Sequence, residues 1–390
     1  MKRTRVLVLD ASARQSLAAC RSLGRAGYGV GAAGYQRRAL SGYSRYTTRY
    51  HELPTPFGDE AEFSEALERI IARFGYEALV ATDDATLARL NGRPPSIPTS
   101  PTLGEPFARL TDKVSLAALA GEHDVDYPET HRVDTADEIE SALHATGFPA
   151  IVKAERSAVA RHDSLGWLSG AYVVRDLASA RDAAAVLHGK GLRTIVQRRV
   201  RWTEKINVAI VRRDGRSELR YAHRVLREIP PEGGMGVAMV TLAADEPSAA
   251  VSLRALEEVC DGAGYEGIAQ AELYLGDGRA WLLDVNPRLW GSTWFAERLG
   301  LRVTERALRA ALREDALPDA VYAAGRRFHH VPHEWGWISY QRPAWRALVQ
   351  VARGTRPGDL FEYVDWTDSR TLARYAYDRA AQLTLSRLRS

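Results

Sequence analysis

The first hundred residues alternate between short apolar runs and helical spacings. Residues 6–9 form an apolar run closed by Asp10, and a helical pattern follows through Leu17, Cys20 and Leu23 to a stop at Gly24 and Gly27. Residues 28–33 predict a second strand, residues 63–74 a helix, and residues 78–81 a third strand. Alternation of this kind predicts a parallel, doubly wound sheet of Rossmann type. Its first turn, Asp10-Ala-Ser-Ala-Arg14, contains no G-x-G-x-x-G, so no backbone is shaped there for a pyrophosphate and a nicotinamide cofactor is rejected.

The proline-rich stretch 94–101 breaks the pattern and marks a domain edge. A helix over 111–122 opens a second α/β region, in which residues 150–154 form a buried strand carrying Lys153. From Thr194 onward strands dominate, over 194–200, 206–212 and 219–223. A Pro- and Gly-rich loop at 229–236 and a helix over 247–263 come next. Strands 268–275 and 280–285 form a hairpin around Gly276-Asp-Gly278. The tail mixes amphipathic helical stretches with an aromatic-rich segment, 328–340. The expected division is 1–105, 106–193, 194–310 and a C-terminal extension at 311–390.

Composition narrows the function classes. No run of about 18 uninterrupted apolar residues is present, so no membrane span is expected. The formal charge of +4 is spread among interleaved acids and bases, which argues against a nucleic-acid partner. Two cysteines, Cys20 and Cys260, offer neither a disulfide framework nor a zinc spacing, which suits a reducing cytoplasm. Only five lysines occur, at positions 2, 113, 153, 190 and 205, in a strongly arginine-biased chain. A lysine kept at the end of an apolar strand therefore stands out, because a desolvated ammonium needs an anion.

The hairpin carries the densest chemistry. Asp284, Asn286 and Arg288 alternate along its second strand and share a face, with Glu272 across from them. Two carboxylates and an amide oxygen with open positions suit Mg²⁺, which keeps few protein ligands and takes the rest from phosphates and water. The other reading is a salt-bridged sheet surface. Arg288 at the rim would grip phosphate oxygens with its planar fork.

The run Leu-Leu-Asp284-Val-Asn286-Pro-Arg288, with Glu272 before it, resembles the magnesium motif of ATP-grasp enzymes, and more specifically of carbamoyl-phosphate-synthase-like carboxylate–amine ligases. The resemblance implies a Rossmann-like domain followed by a two-lobed ATP-grasp fold, α/β and α+β in class. It also implies ATP held between the lobes with Mg²⁺ or Mn²⁺. Lys113 in Leu-Thr-Asp-Lys-Val resembles the first nucleotide-binding lysine, and Lys153 in Phe-Pro-Ala-Ile-Val-Lys the one that contacts the α and β phosphates. Gln197-Arg198-Arg-Val200 resembles the hinge at adenine, where Arg198 and Val200 offer backbone groups. Glu204 stands where the ribose-binding carboxylate is expected, or else pairs with Lys205 or Arg201.

His223, Arg224 and Arg227, before the Gly233–Gly234 loop, resemble the basic cluster near the transferred phosphoryl group. Strand alternation puts His223 and Arg227 on one face. Arg288, with that loop, is expected at the oxyanion. Metals would be held by Glu272, Asp284 and Asn286.

Two features depart from the family: Asp284 replaces a commoner Glu, and the loop 154–166 holds no glycine before Gly166, leaving Arg156, Ser157, Arg161 and Ser164 as substitutes. The implied activity is ATP-dependent joining of a small-molecule carboxylate to an amine, an amino acid among the candidates, through an acyl phosphate. No nucleic acid or membrane partner is expected, and a homodimer is compatible with this reading.

Overall fold

The computed structural model describes residues 3–156, 171–230 and 233–378. Five parallel strands form the first sheet: β1 (Arg5–Val8), β2 (Gly29–Gly34), β3 (Thr47–Glu52), β4 (Ala78–Val80) and β5 (Thr99–Ser100), in the order β3-β2-β1-β4-β5. Helices α1 (Arg14–Arg25), α2 (Glu60–Phe74) and α3 (Asp84–Gly92) connect them. Side chains explain the helix ends. Asp59 caps α2 by accepting from the Glu62 N–H, and Gly75 closes it at φ 61°. Strand β3 escaped the sequence reading because its burial is mixed, with only His51 buried among Thr-Thr-Arg-Tyr-His-Glu.

Helices α4 (Glu105–Thr111) and α5 (Lys113–Glu122) lead into a four-stranded sheet. It holds β6 (Thr130–Val133), β7 (Ala150–Ala154), β8 (Tyr172–Val174) and β9 (Thr194–Arg198) in the order β6-β9-β7-β8, with α6 (Ala136–Thr146) and α7 (Leu177–Gly189) on one face. Leu143, Ala180, Ala184 and Leu187 pack there against Val152 and Val196. Alternation then turns Ile151, Lys153, Ile195 and Gln197 to the opposite face.

The third sheet is antiparallel over most of its width. It contains β10 (Glu204–Arg213), β11 (Arg216–Ile229), β12 (Met235–Leu242), β13 (Gly267–Gly276), β14 (Arg279–Asn286), β15 (Arg327–His329) and β16 (Leu360–Phe361), ordered β14-β13-β10-β11-β12-β15-β16. One face packs on α8 (Pro247–Ala263) through Ile206, Val208, Leu273 and Leu282 against Leu253, Leu256 and Val259. The other meets α9 (Thr293–Arg298) and α10 (Val303–Leu312) through Tyr221, Met239, Phe295 and Leu308. The tail continues with α11 (Val331–Tyr340) and α12 (Ala344–Gly354).

Two expected boundaries move. Strand β9, assigned from sequence to the third unit, pairs with β6 and β7 and so belongs to the second. Segment 311–390 is no mere extension, since β15 pairs with β12 and β16 with β15 at the edge of the large sheet. Short edge strands carry little pattern of their own; they form because β12 leaves a row of unpaired backbone groups beside them.

Candidate active site

Register builds the site. Asp284 faces Glu272, Glu272 faces Asn207, Asn207 faces His223 and His223 faces Thr241, so one row of side chains crosses five strands on one face. The neighbouring row places Asn286 beside Gln270, Ala209 and Tyr221.

Lys113 opens α5 and its ammonium lies 3.7 Å from Asp284 Oδ1. A cation at a helix N-terminus opposes the helix dipole, so an anion there relieves it. The Lys113 N–H donates to Glu155 O at 3.2 Å, and Asp112 accepts from Val114 and Ser115 and from Arg156 Nε at 2.9 Å. These bonds fasten α5 to the end of β7. Lys153, on that strand, is pushed down to about 8, by burial first and by the Lys113 charge second, with Asp284 and Glu272 pulling the other way. Both lysines and both carboxylates thus converge in one electrostatic neighbourhood. The acids Glu155 and Asp176 are engaged elsewhere: Glu155 by Arg132, Asp176 as the cap of α7.

Arg288 directs its fork at Asp84 of α3, with Nη2 2.8 Å from Oδ2, and also gives Nη2 to Asn286 Oδ1 at 3.1 Å. Burial acts against both charges, yet each holds the other ionised: the Arg288 pKa is raised and the Asp84 carboxyl lies below its usual range. Asn286 Nδ2 donates to Gln270 Oε1 at 2.8 Å, which fixes the amide's orientation.

Sequence reasoning missed Lys205. Its buried ammonium lies 2.9 Å from Glu272 and 3.5 Å from Glu228, and donates to Gly234 O at 2.8 Å. Burial acts against the charge, but Glu272 and its neighbours raise the pKa. The scarcity of lysine could have flagged it, and alternation would have separated it from Glu204.

Several expected side chains lie elsewhere. Glu204 and Arg224 alternate to the α8 face, where Arg224 Nε meets Glu204 at 2.9 Å and Arg224 Nη2 meets Glu246 at 2.9 Å. Neither belongs to the converging set, and Glu204 pairs with neither Lys205 nor Arg201. Arg227 does not share the face of His223 as expected. Register shifts on both sides of it break the alternation, and it binds Glu334 of α11. His223 does face the site but is fully buried, with neither ring nitrogen hydrogen-bonded among the described residues. Burial, then the Lys205 charge, push it down to about 3, which favours the neutral ring.

At the hinge, the Gln197 amide donates to Thr130 Oγ1 at 2.8 Å, and the Arg198 N–H donates to Glu129 O at 2.8 Å. Val200 is buried beside them. Arg156 is held by Asp112, while Ser157, Arg161 and Ser164 lie outside the described residues.

The donors fit a hard cation. Glu272 and Asp284 are register partners, and Asn286 Oδ1 keeps one lone pair free of Arg288. No group of three or more His, Cys, Asp or Glu side chains arranged for a metal occurs among the described residues. Two carboxylates with an amide is the sparse set that leaves room for phosphate oxygens.

Comparison with known proteins agrees with this architecture. Residues 118–296 match the ATP-grasp domain model. Among solved structures, the L-amino acid ligase from Bacillus licheniformis superposes with a TM-score of 0.64 at 14% identity, over 84% of this chain and 79% of that one. The N5-carboxyaminoimidazole ribonucleotide synthetase from Thermus thermophilus gives 0.62 at 18% identity, over 83% and 81%. A biotin carboxylase–ATP complex from Campylobacter jejuni gives 0.66 at 14% identity, over 84% and 74%. At such identities the likeness establishes the fold. No curated protein matches the chain in sequence.

Proposed function

Because residues 118–296 match the ATP-grasp domain model, we propose that this chain is an ATP-dependent, ADP-forming ligase of the ATP-grasp family that joins a small-molecule carboxylate to an amine through an acyl phosphate. The observation that carries the reading is the convergence of Lys113 and of Lys153 of the second sheet with Lys205, Glu272 and Asp284 of the third.

A carboxylate is a poor electrophile, and phosphorylation gives it a leaving group. The protein needs no covalent nucleophile for this; holding the reactants in line supplies roughly 7–11 kcal/mol. Lys153 meets the phosphate chain from β7 and Lys113 from the start of α5. Lys205 ties the Gly234 loop to Glu272, so that loop is positioned by the same charge that faces the phosphates. Arg288, preoriented by Asp84 and Asn286, presents its remaining donor surface to charge developing on the transferred group. Gln197, on the cleft face of β9, together with the Arg198 carbonyl and the Val200 N–H, would form the adenine edge. Mg²⁺ held by Glu272, Asp284 and Asn286 would offset phosphate charge.

We place the protein in the cytoplasm, on the two buried, unpaired cysteines. No helix among the described residues is long and apolar enough to cross a membrane. The test is ADP and phosphate release from ATP with pooled acids and amines: release that requires both pools supports the ligase, and none with any combination refutes it.

A further inference from the structure

Helix α12 carries two apolar stripes, and the fold covers one of them. Ala344, Ala347 and Val351 share a face and pack on α11 against Trp337 and Ile338. Trp345, Leu348, Val349 and Ala352 recur at i, i+3, i+4 and i+7 and share a second face. That face is open among the described residues: Trp345 is 60% exposed, Leu348 43% and Val349 37%, and Ala352 is exposed with them. Single exposed apolar side chains are ordinary, whereas a contiguous stripe along one helix marks a contact surface.

Charge identifies what would cover it. Residues 335–358 contain Arg342, Arg346, Arg353 and Arg356 and no aspartate or glutamate. All four arginines are exposed, and none of their guanidiniums pairs with a carboxylate among the described residues. Arg346 and Arg353, one heptad apart, run along the border of the open stripe on the side away from α11, with the Arg346 guanidinium 5.5 Å from the Trp345 ring centroid. The fold does bring acids to other arginines: Arg21 and Arg25 of α1 meet Asp368 and Asp365 from the tail. A second copy of this chain docked on the stripe would set arginines against arginines. A nucleic acid would engage the arginines and leave Trp345, Leu348 and Val349 in water. An anionic bilayer answers both features, since lipid phosphates take the guanidinium forks and the acyl boundary buries the apolar side chains. The Trp345 ring suits the headgroup depth between them.

We propose that α12 is a peripheral anchor that lies in the plane of an anionic lipid surface, with Trp345, Leu348 and Val349 inserted and Arg346 and Arg353 on the lipid phosphates. No helix among the described residues is long and apolar enough to cross a membrane, and a helix lying in the interface needs no span. The expectation that no membrane partner is used, drawn from the missing span, is revised accordingly. The negatively charged face of a cytoplasmic membrane is the matching surface. The anchor goes beyond the ligase reading and does not depend on it.

Co-sedimentation of the full chain with vesicles tests it, using phosphatidylcholine alone and phosphatidylcholine with about a third phosphatidylglycerol. The chain should partition at least about tenfold more strongly onto the anionic vesicles, and added salt should weaken that binding without abolishing it. Arg346→Gln with Arg353→Gln, and separately Trp345→Ala with Leu348→Ala, should each lower the partitioning about tenfold. All four side chains are exposed, so the unfolding temperature should stay unchanged in both double variants. The wild-type comparison of the two vesicle types needs no variant to fold. Equal sedimentation with both vesicle types, or with neither, would overturn the anchor. Loss of binding in only one of the two double variants would refute a surface built from charge and apolar insertion together. A dimer in sedimentation velocity that Trp345→Ala with Leu348→Ala breaks, without vesicle binding, would assign the stripe to a second copy and refute the lipid contact.

Discussion

Residues 204 and 205 are neighbours in the chain and face opposite sides of the same sheet, and their surroundings differ as much as their positions. On the α8 side, Glu204, Arg224 and Glu246 form a partly exposed chain of ion pairs, each at 2.9 Å. Such pairs satisfy one another and contribute roughly 0–1 kcal/mol. On the cleft side, Lys205, Lys113 and Lys153 share Glu272 and Asp284, and the Lys153 pKa is depressed rather than raised. The side chain of Lys153 makes no ion pair or hydrogen bond among the described residues. One face is electrostatically complete, while the other holds positive charge that an anion would settle. The depressed lysine is the feature on which we propose that this is the functional side.

The contrast can be broken at its strongest point first. Lys153→Ala should weaken ATP binding by about 100-fold, read by calorimetry, because it removes a desolvated charged donor. Unchanged affinity would mean the cleft face is not where the triphosphate lies. Asn286→Ala should lower turnover by about 100-fold while ATP affinity stays within a few-fold, the split expected of a group that acts mainly at the transferred phosphoryl. Equal losses in both would make Asn286 a simple binding residue.

Lys205→Met removes the cation from Glu272 and from Gly234 O together; nucleotide affinity should fall by about tenfold, with the loop at 233–236 more accessible to protease. The Lys153 pKa supplies a test without mutation. Its value in the folded chain, about 8, lies below the ordinary 10.5, so the unliganded protein carries the cost of the charge below pH 8 and sheds it as pH rises from 8 toward 10.5. Unliganded stability should therefore gain over that interval from this group. ATP affinity should fall by up to about tenfold per pH unit over the same interval, with proton uptake on binding measurable in buffers of different ionisation enthalpy.

The smallest effects belong to the other face. Glu204→Gln and Arg224→Ala should each change turnover and ATP affinity by less than about threefold, and stability by no more than about 1 kcal/mol. A tenfold rise in the ATP KM for Glu204→Gln would restore that residue to the ribose site and refute the assignment of faces.

Much of the site was legible because short-range rules govern it. The hairpin around Gly276-Asp277-Gly278 reads directly: a tight turn sets the register, and register set Glu272 opposite Asp284. The apolar run ending at Lys153 and the Asp112 cap before Lys113 are equally local. Arg227 was not legible, since the register shifts around it arise from pairing with β12, a strand whose own start was read as part of a loop. Neither was the partner of Arg288, because Asp84 lies in another sheet's connecting helix, 204 residues away.

From the chain alone came the alternation of elements, the hairpin, the two strand-borne acids and the lysines worth watching. All of these follow from periodicities of two and 3.6 residues and from the turns that punctuate them. Tertiary structure decided which face each charge took once bulges intervened, which strand joined which sheet at the edges, and that Arg14 and Glu362 meet at 3.6 Å. The reason is physical: periodicity is a property of neighbouring residues. Burial, desolvation and the pairing of distant charges depend on which segments the fold brings together.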